Sequence, residues 1–138
     1  MTKKELKVTG PAMNILIVDD EAMLLQSIQI GLQNRGYCVV TATSGEQALG
    51  YLHDNGQSID LVVTDYLMPG MNGIQFLILL RNKYPDMPTL FMTAYADTKM
   101  VIDAFRHRCD GFMQKPFSLQ QLVEEIEGIK ERSNKPDR

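Results

Sequence analysis

Three kinds of side chain in this sequence could act together: acids, a hydroxyl and an amine, each at the end of a short apolar run. Asp65 ends Leu61-Val62-Val63-Thr64 and leads into a loop punctuated by Pro69, Gly70 and Gly73. The adjacent pair Asp19-Asp20 ends Asn14-Ile15-Leu16-Ile17-Val18. Thr93 closes a run from Pro88, and Lys115 follows Gly111-Phe112-Met113-Gln114. Taken alone, Asp65 reads two ways. It is a carboxylate at the ligand-binding edge of a sheet, or an Asp that starts a turn before Pro and Gly. The acid pair favours the first reading. If the two acid-ended runs are parallel neighbours, three carboxylates meet at one edge, where like charges oppose simultaneous ionisation. A cation is then needed. Oxygen-only ligation by a few carboxylates suits Mg²⁺, with Mn²⁺ as the alternative.

The elements that must position these groups are legible from hydrophobic periodicity. Leu61 to Val63 is an unalternating apolar run, the pattern of a strand buried on both faces in a parallel sheet. Further strands are expected at 14–18, 37–42, 88–93 and 111–114. Helices are expected between and after them. The first carries Leu24, Ile28, Gly31, Leu32 and Arg35 on one face and is ended by Gly36. Ser44 and Gln47 form a capping-box pattern before a helix through Ala48, Leu49 and Leu52, which stops near Asn55-Gly56. Asn72 caps a third helix with Ile74, Leu77, Ile78 and Arg81 inward, closed at Tyr84-Pro85. Asp97 caps a fourth through Val101, Ala104 and Phe105. Ser118 and Gln121 repeat the capping box before a last helix striped by Leu119, Leu122, Val123, Ile126 and Ile129. Strict alternation implies right-handed crossovers and an α/β fold, a doubly wound five-stranded parallel sheet. Acids after the first and third strands suit the flavodoxin-like order 2-1-3-4-5, whose switch point lies between those strands.

Composition bounds the rest. At 138 residues and 44% apolar content, the chain is long enough for one full core and too short for two ordinary domains. Residues 1–13 read as a flexible arm, 14–132 as the domain and 133–138 as a polar tail. A net charge of -3 gives no electrostatic footprint for nucleic acid by this chain alone. No apolar run reaches membrane-spanning length, and a cytoplasmic location is expected. Cys38 and Cys109 lack metal-ligand spacing and read as reduced packing residues. His53 and His107 fall on helices away from the acids, and Met92 and Met113 read as core filler.

In order, Val18-Asp19-Asp20-Glu21, the loop Asp65-Tyr66-Leu67-Met68-Pro69-Gly70-Met71-Asn72-Gly73, the pair Thr93-Ala94 and Lys115-Pro116-Phe117 make a set. The set resembles the receiver domain of two-component response regulators, of the chemotaxis-regulator type, over about residues 14 to 131. That resemblance implies an aspartyl-phosphate chemistry. Asp65 would accept a phosphoryl group from a sensor histidine kinase or phosphotransfer protein. Asp20, Asp65 and the backbone carbonyl of Leu67 would ligate Mg²⁺, with Asp19 on a metal-bound water. Thr93 would donate its hydroxyl to a phosphoryl oxygen and Lys115 would pair with the acids or the phosphoryl group. Phe112 falls at the switch aromatic, with a purely structural core role as the alternative. Leu67 and Tyr95 flank the line of water attack, so slow self-dephosphorylation is expected. Phosphorylation would change a homodimer or effector contact through residues 95–132.

Two other functions compete. A Mg²⁺-dependent phosphohydrolase of the haloacid-dehalogenase type also forms an aspartyl phosphate. It carries Asp-x-Asp on one strand, whereas here the first acids are adjacent and residue 67 is leucine. A scaffold-only pseudo-receiver is disfavoured because the acids, Thr93 and Lys115 are all present. The sequence names no output; a stand-alone receiver and the N-terminal part of a longer regulator are both compatible with it.

Overall fold

The computed structural model describes residues 12–133. Strand β1 (Asn14–Val18), helix α1 (Ala22–Gln33), β2 (Cys38–Ala42) and α2 (Gly45–Asn55) come first, followed by a 3₁₀ turn at Gly56–Ser58. Then come β3 (Leu61–Asp65), α3 (Gly73–Lys83), β4 (Thr89–Thr93), α4 (Thr98–Arg106), β5 (Gly111–Gln114) and α5 (Leu119–Ser133). The sheet runs β2-β1-β3-β4-β5 with every pairing parallel. This is the expected doubly wound order. Most of the arm and tail expected from sequence lie outside the described residues. Met13, assigned to that arm, is buried, and its carbonyl accepts from the Cys38 amide at 2.9 Å. Ser133, assigned to the tail, is the last residue of α5.

Because successive strand residues point to opposite faces, the β-branched runs fill two cores at once. Ile15, Ile17, Val63 and Met92 meet Leu25 of α1 and Ile126 of α5 on one side. Leu16, Val18, Val62 and Phe91 meet Leu52, Phe76 and Ala104 on the other. All five residues of β3 and of β4 are buried, as central strands of a covered parallel sheet require. No described helix is long and apolar enough to cross a membrane.

Three helix faces differ from the sequence reading. In α3, Phe76, Leu77 and Leu80 point inward, while Ile78 is 42% exposed. The segment Ile74-Gln75-Phe76-Leu77-Ile78-Leu79-Leu80 is apolar almost all round. Periodicity therefore cannot fix its phase, and contact with the sheet does. In α4, Ala104 is buried and Phe105 is 49% exposed. In α1, Leu25 takes the inward position and Leu24 is half-buried.

The capping chemistry is mostly as read. Asn72 and Gln75 form a reciprocal capping box, as do Ser118 and Gln121. At α2, Ser44 accepts from the Gln47 amide. The Gln47 side chain, however, reaches back to the Thr43 amide at 2.6 Å, one residue before the expected partner.

Both cysteines are free, but only Cys109 is a packing residue; Cys38 is exposed on edge strand β2. Burial pushes the Cys109 thiol up to about 12, so almost none of it is the reactive thiolate near neutral pH. We predict that a disulfide-exchange reagent at neutral pH titrates one thiol rapidly in the native protein and the second only on unfolding. Cys38→Ser should abolish the rapid phase. Two equally fast thiols would contradict the packing at Cys109.

Candidate functional site at the carboxyl edge of the sheet

The register of the strands brings the acids together. Val18 pairs with Thr64, so the residues that follow them, Asp19 and Asp65, leave the sheet side by side. Asp19 is wholly buried, Asp65 is 6% exposed and Asp20 is exposed at the entry to α1. One carboxylate oxygen from each lies within 4.8 Å of the others. Asp19 Oδ1 accepts from the Glu21 amide at 2.8 Å and Asp65 Oδ1 from the Leu67 amide at 3.1 Å. Backbone donors thus fix both carboxylates.

Lys115 is placed by the other end of the sheet. Thr93 pairs with Gln114, and the Lys115 amide donates to the Thr93 carbonyl at 2.7 Å. From there its ammonium reaches Asp19 Oδ2 at 2.7 Å and Asp65 Oδ2 at 3.0 Å. Glu21, which sequence reasoning quoted but gave no role, stands 3.5 Å from the same nitrogen. Its position directly after the acid pair was the available signal.

These contacts set the protonation balance. Burial disfavours charge on Asp65 and Asp19 repels it, while Lys115 and the Leu67 amide favour it; the net result is a carboxyl above its ordinary range. Burial also opposes the Lys115 charge, but hydrogen bonds to Asp19 and Asp65 outweigh it and hold the ammonium above the ordinary lysine value. A pair that simply neutralised itself would lower the acid as it raised the base. Here desolvation of Asp65 prevails over its share of the lysine, which is divided between two carboxylates.

The loop after Asp65 is held tightly. Gly73 donates to the Tyr66 carbonyl at 2.8 Å, and a Cβ on Gly73 would lie 2.8 Å from the Tyr66 Cα and 3.0 Å from the Asp65 carbonyl oxygen. Backbone atoms cannot move aside as a side-chain tip can, so this approach requires glycine. Gly70, with φ of +76°, turns the loop. Thr93 is wholly buried, its Oγ1 accepting from the Tyr95 amide at 3.3 Å. The Tyr95 ring is 76% exposed and Leu67 is 45% exposed. Phe112 is half-buried, its ring 6.1 Å from Tyr66 and 6.0 Å from Phe91. The structure therefore gathers Asp19, Asp20, Asp65 and Lys115 at one point, with Thr93 and Leu67 on the adjoining strand end and loop. His53 and His107 stand at the surface ends of α2 and α4.

The donor set fits a hard divalent cation. It offers only carboxylate oxygen, from the buried Asp19 and Asp65 and the exposed Asp20. Lys115 Nζ shares the cluster, bonded to Oδ2 of both Asp19 and Asp65.

A doubly wound parallel sheet with a carboxylate cluster and a lysine gathered at its carboxyl edge is an α/β domain with a candidate ligand site at that edge. The sequence matches the response regulator receiver domain over residues 15–127. The chain belongs to that family, the receivers of two-component signalling. Chemotaxis protein CheY of Pseudomonas aeruginosa is 38% identical over 125 residues, which are 88% of this chain and 99% of that protein. Sensor kinase CckA of Brucella abortus is 33% identical over 132 residues, 96% of this chain but 14% of the kinase. Transcriptional regulatory protein TrcR of Mycobacterium tuberculosis is 30% identical over 132 residues, and the chain spans 51% of its length. A response regulator receiver domain protein from Clostridium thermocellum superposes with a TM-score of 0.83 at 31% identity, over 88% of this chain and 96% of that one.

The ion-pair geometry predicts a large and pH-dependent effect of Lys115→Met. Removing one member of a buried pair typically costs about 3–5 kcal/mol. Lys115 is among the groups that hold the Asp65 carboxyl down, so its removal lifts the folded pKa further above the unfolded value; the added cost of ionising Asp65 is full above that folded pKa and is lost as pH falls from there through the unfolded value. Denaturant unfolding in metal-free buffer should show the deficit of Lys115→Met at neutral pH and its shrinkage on acidification. A deficit independent of pH would mean that lost packing, not charge, is responsible.

Proposed function

We propose that the chain is the phosphoacceptor of a two-component pathway, with Asp65 as the residue that takes the phosphoryl group. The observation that carries this reading is the Lys115 ammonium between Asp19 and Asp65. It bonds a carboxylate that is largely buried yet 6% exposed at the sheet edge. Attack by an Asp65 oxygen forms the P–O bond as the P–N bond to a donor phosphohistidine breaks, and the departing imidazole keeps the electron pair and is protonated. Charge in that step lies on the equatorial phosphoryl oxygens. Lys115 would then exchange its hold on the carboxylate for one on the phosphoryl group, and the Thr93 hydroxyl would turn from the Tyr95 amide to donate to another oxygen. Asp19, Asp20, Asp65 and the Leu67 carbonyl would hold Mg²⁺ or Mn²⁺, whose positive charge offsets that of the transferred group.

The donor in this reading is a sensor histidine kinase or phosphotransfer protein in the cytoplasm. The response is a change in homodimer or effector contact through residues 95–132, driven by Thr93 and by Phe112. The haloacid-dehalogenase reading lacks its acid/base group, since position 67 is an exposed leucine.

Acetyl phosphate with Mg²⁺ should add one phosphoryl group, seen by intact mass, that hydroxylamine removes. Asp65→Asn should not be labelled, and withdrawing the metal with a chelator should abolish labelling of the wild type. Equal labelling of wild type and Asp65→Asn would refute the assignment.

The lifetime of the adduct follows from Leu67 and Tyr95. Hydrolysis needs a water held in line with the leaving carboxylate, and a misplacement of about 1 Å can cost on the order of 100-fold. Leu67 offers no group to orient that water. The Tyr95 ring stands in solvent in the present state, so covering the phosphoryl group requires it to fold inward as Thr93 moves. The adduct should persist well beyond seconds, and Leu67→Asn with Tyr95→Glu should shorten its life roughly tenfold or more. Decay of wild type within seconds, or no change in the double variant, would count against exclusion of water.

A further inference from the structure

Three aromatic rings cross the sheet beside the acceptor site. Thr64 pairs with Phe91 and Phe91 with Phe112, so these positions form a row on one face of β3, β4 and β5. Tyr66 lies two residues beyond Thr64 and so on the same face. Its amide continues the ladder by donating to the Met92 carbonyl at 2.8 Å, which sets Tyr66 beside Thr93. The Tyr66 ring meets Phe91 edge-on at 5.3 Å and Phe112 at 6.1 Å. Phe91 is fully buried, whereas Tyr66 and Phe112 are half-buried. All three belong with Ala104 of α4 to one core cluster. That alanine is the only fully buried residue of α4. The Tyr66 ring thus reaches across β4 to Phe112 at the level of Thr93, and α4 rests on the same cluster.

We infer that Tyr66 is the positioning residue that couples the acceptor site to Phe112 and α4: its ring holds Phe112 in its half-exposed place and must give way for Phe112 to turn inward. The inference rests on the phosphoacceptor reading and adds a residue to its output path. Tyr66 is suited to this by chain connectivity. It is covalently next to Asp65, and its carbonyl accepts from the Gly73 amide at 2.8 Å. The ring and not the hydroxyl carries the contact, because both aromatic partners lack a polar group.

The test compares wild type, Tyr66→Leu and Tyr66→Phe with and without beryllofluoride and Mg²⁺. Hydrogen exchange is read across residues 98–112, and acetyl phosphate labelling of Asp65 is read separately. Wild type and Tyr66→Phe should show the same beryllofluoride-induced change in exchange. Tyr66→Leu should still be labelled but lose most of that change, with basal exchange in 98–112 raised roughly threefold to tenfold, as loss of an aromatic pair implies. Should Tyr66→Leu fail to fold, fluorotyrosine-labelled wild type replaces it. The fluorine resonance assigned to Tyr66 by its loss in Tyr66→Phe should move on adding beryllofluoride, and Phe112→Ala should remove most of that movement. An unaltered exchange response in Tyr66→Leu, or a Tyr66 resonance indifferent to Phe112→Ala, overturns the inference. Absence of labelling in wild type would instead refute the phosphoacceptor reading itself.

Discussion

Carboxylates crowded at the end of a buried sheet are the constraint on which the rest of this molecule depends. Asp19 and Asp65 emerge side by side because β1 and β3 are parallel neighbours in register, and no rearrangement short of breaking that pairing separates them. Two desolvated anions in contact would be costly. The ammonium of Lys115 relieves the repulsion, yet it is one charge shared between two buried carboxylates and an exposed third at Glu21. The site is therefore left short of positive charge, and Asp65 is left above the ordinary carboxylate range. This deficit favours a cation at the acid cluster.

Everything that delivers Lys115 to that point is long-range. The lysine is 96 residues from Asp19 in the chain and 50 from Asp65. Its position follows from the addition of β5 to β4, fixed by the Thr93 to Gln114 pairing and the amide bond to the Thr93 carbonyl. The same backbone contact places the Thr93 hydroxyl and the Lys115 ammonium on one edge, so the two groups share a single structural cause.

The elements around the site are unequally anchored. Helices α1, α3 and α5 each insert at least three side chains into the core, whereas α4 contributes one buried alanine and leaves Ile102 and Phe105 exposed. An element with few buried contacts opens at lower free energy than its neighbours. Its amino end is held by Asp97 accepting from the Met100 amide. Its carboxyl end is followed by Arg108, whose carbonyl accepts from the half-buried Arg81 at 2.7 Å. The Arg81 guanidinium also donates to the Met87 carbonyl, tying α3 to that corner. The segment after α4 is thereby tied to α3 at the end remote from the acids.

Local chemistry sufficed for much of this protein. The β-branched runs required buried strands, the side-chain caps at Ser44, Asn72, Asp97 and Ser118 required helix starts, and strict alternation required a parallel doubly wound sheet. The acid, hydroxyl and lysine positions at strand ends were legible because strand ends are set by composition within a few residues. What remained undecided was phase and reach. An all-round apolar helix such as α3 has no preferred side until a sheet supplies one, so Ile78 was assigned inward and stands outward. Phe105 was misplaced in α4 for a related reason: Ala104 and Phe105 are adjacent, and only the close approach of the helix to the sheet selects the smaller. The ammonium bridging two acids, the part played by Glu21 and the row of Tyr66, Phe91 and Phe112 depend on strand register across the sheet. A sequence carries spacing along the chain, and register between distant segments exists only once the tertiary fold has set them side by side.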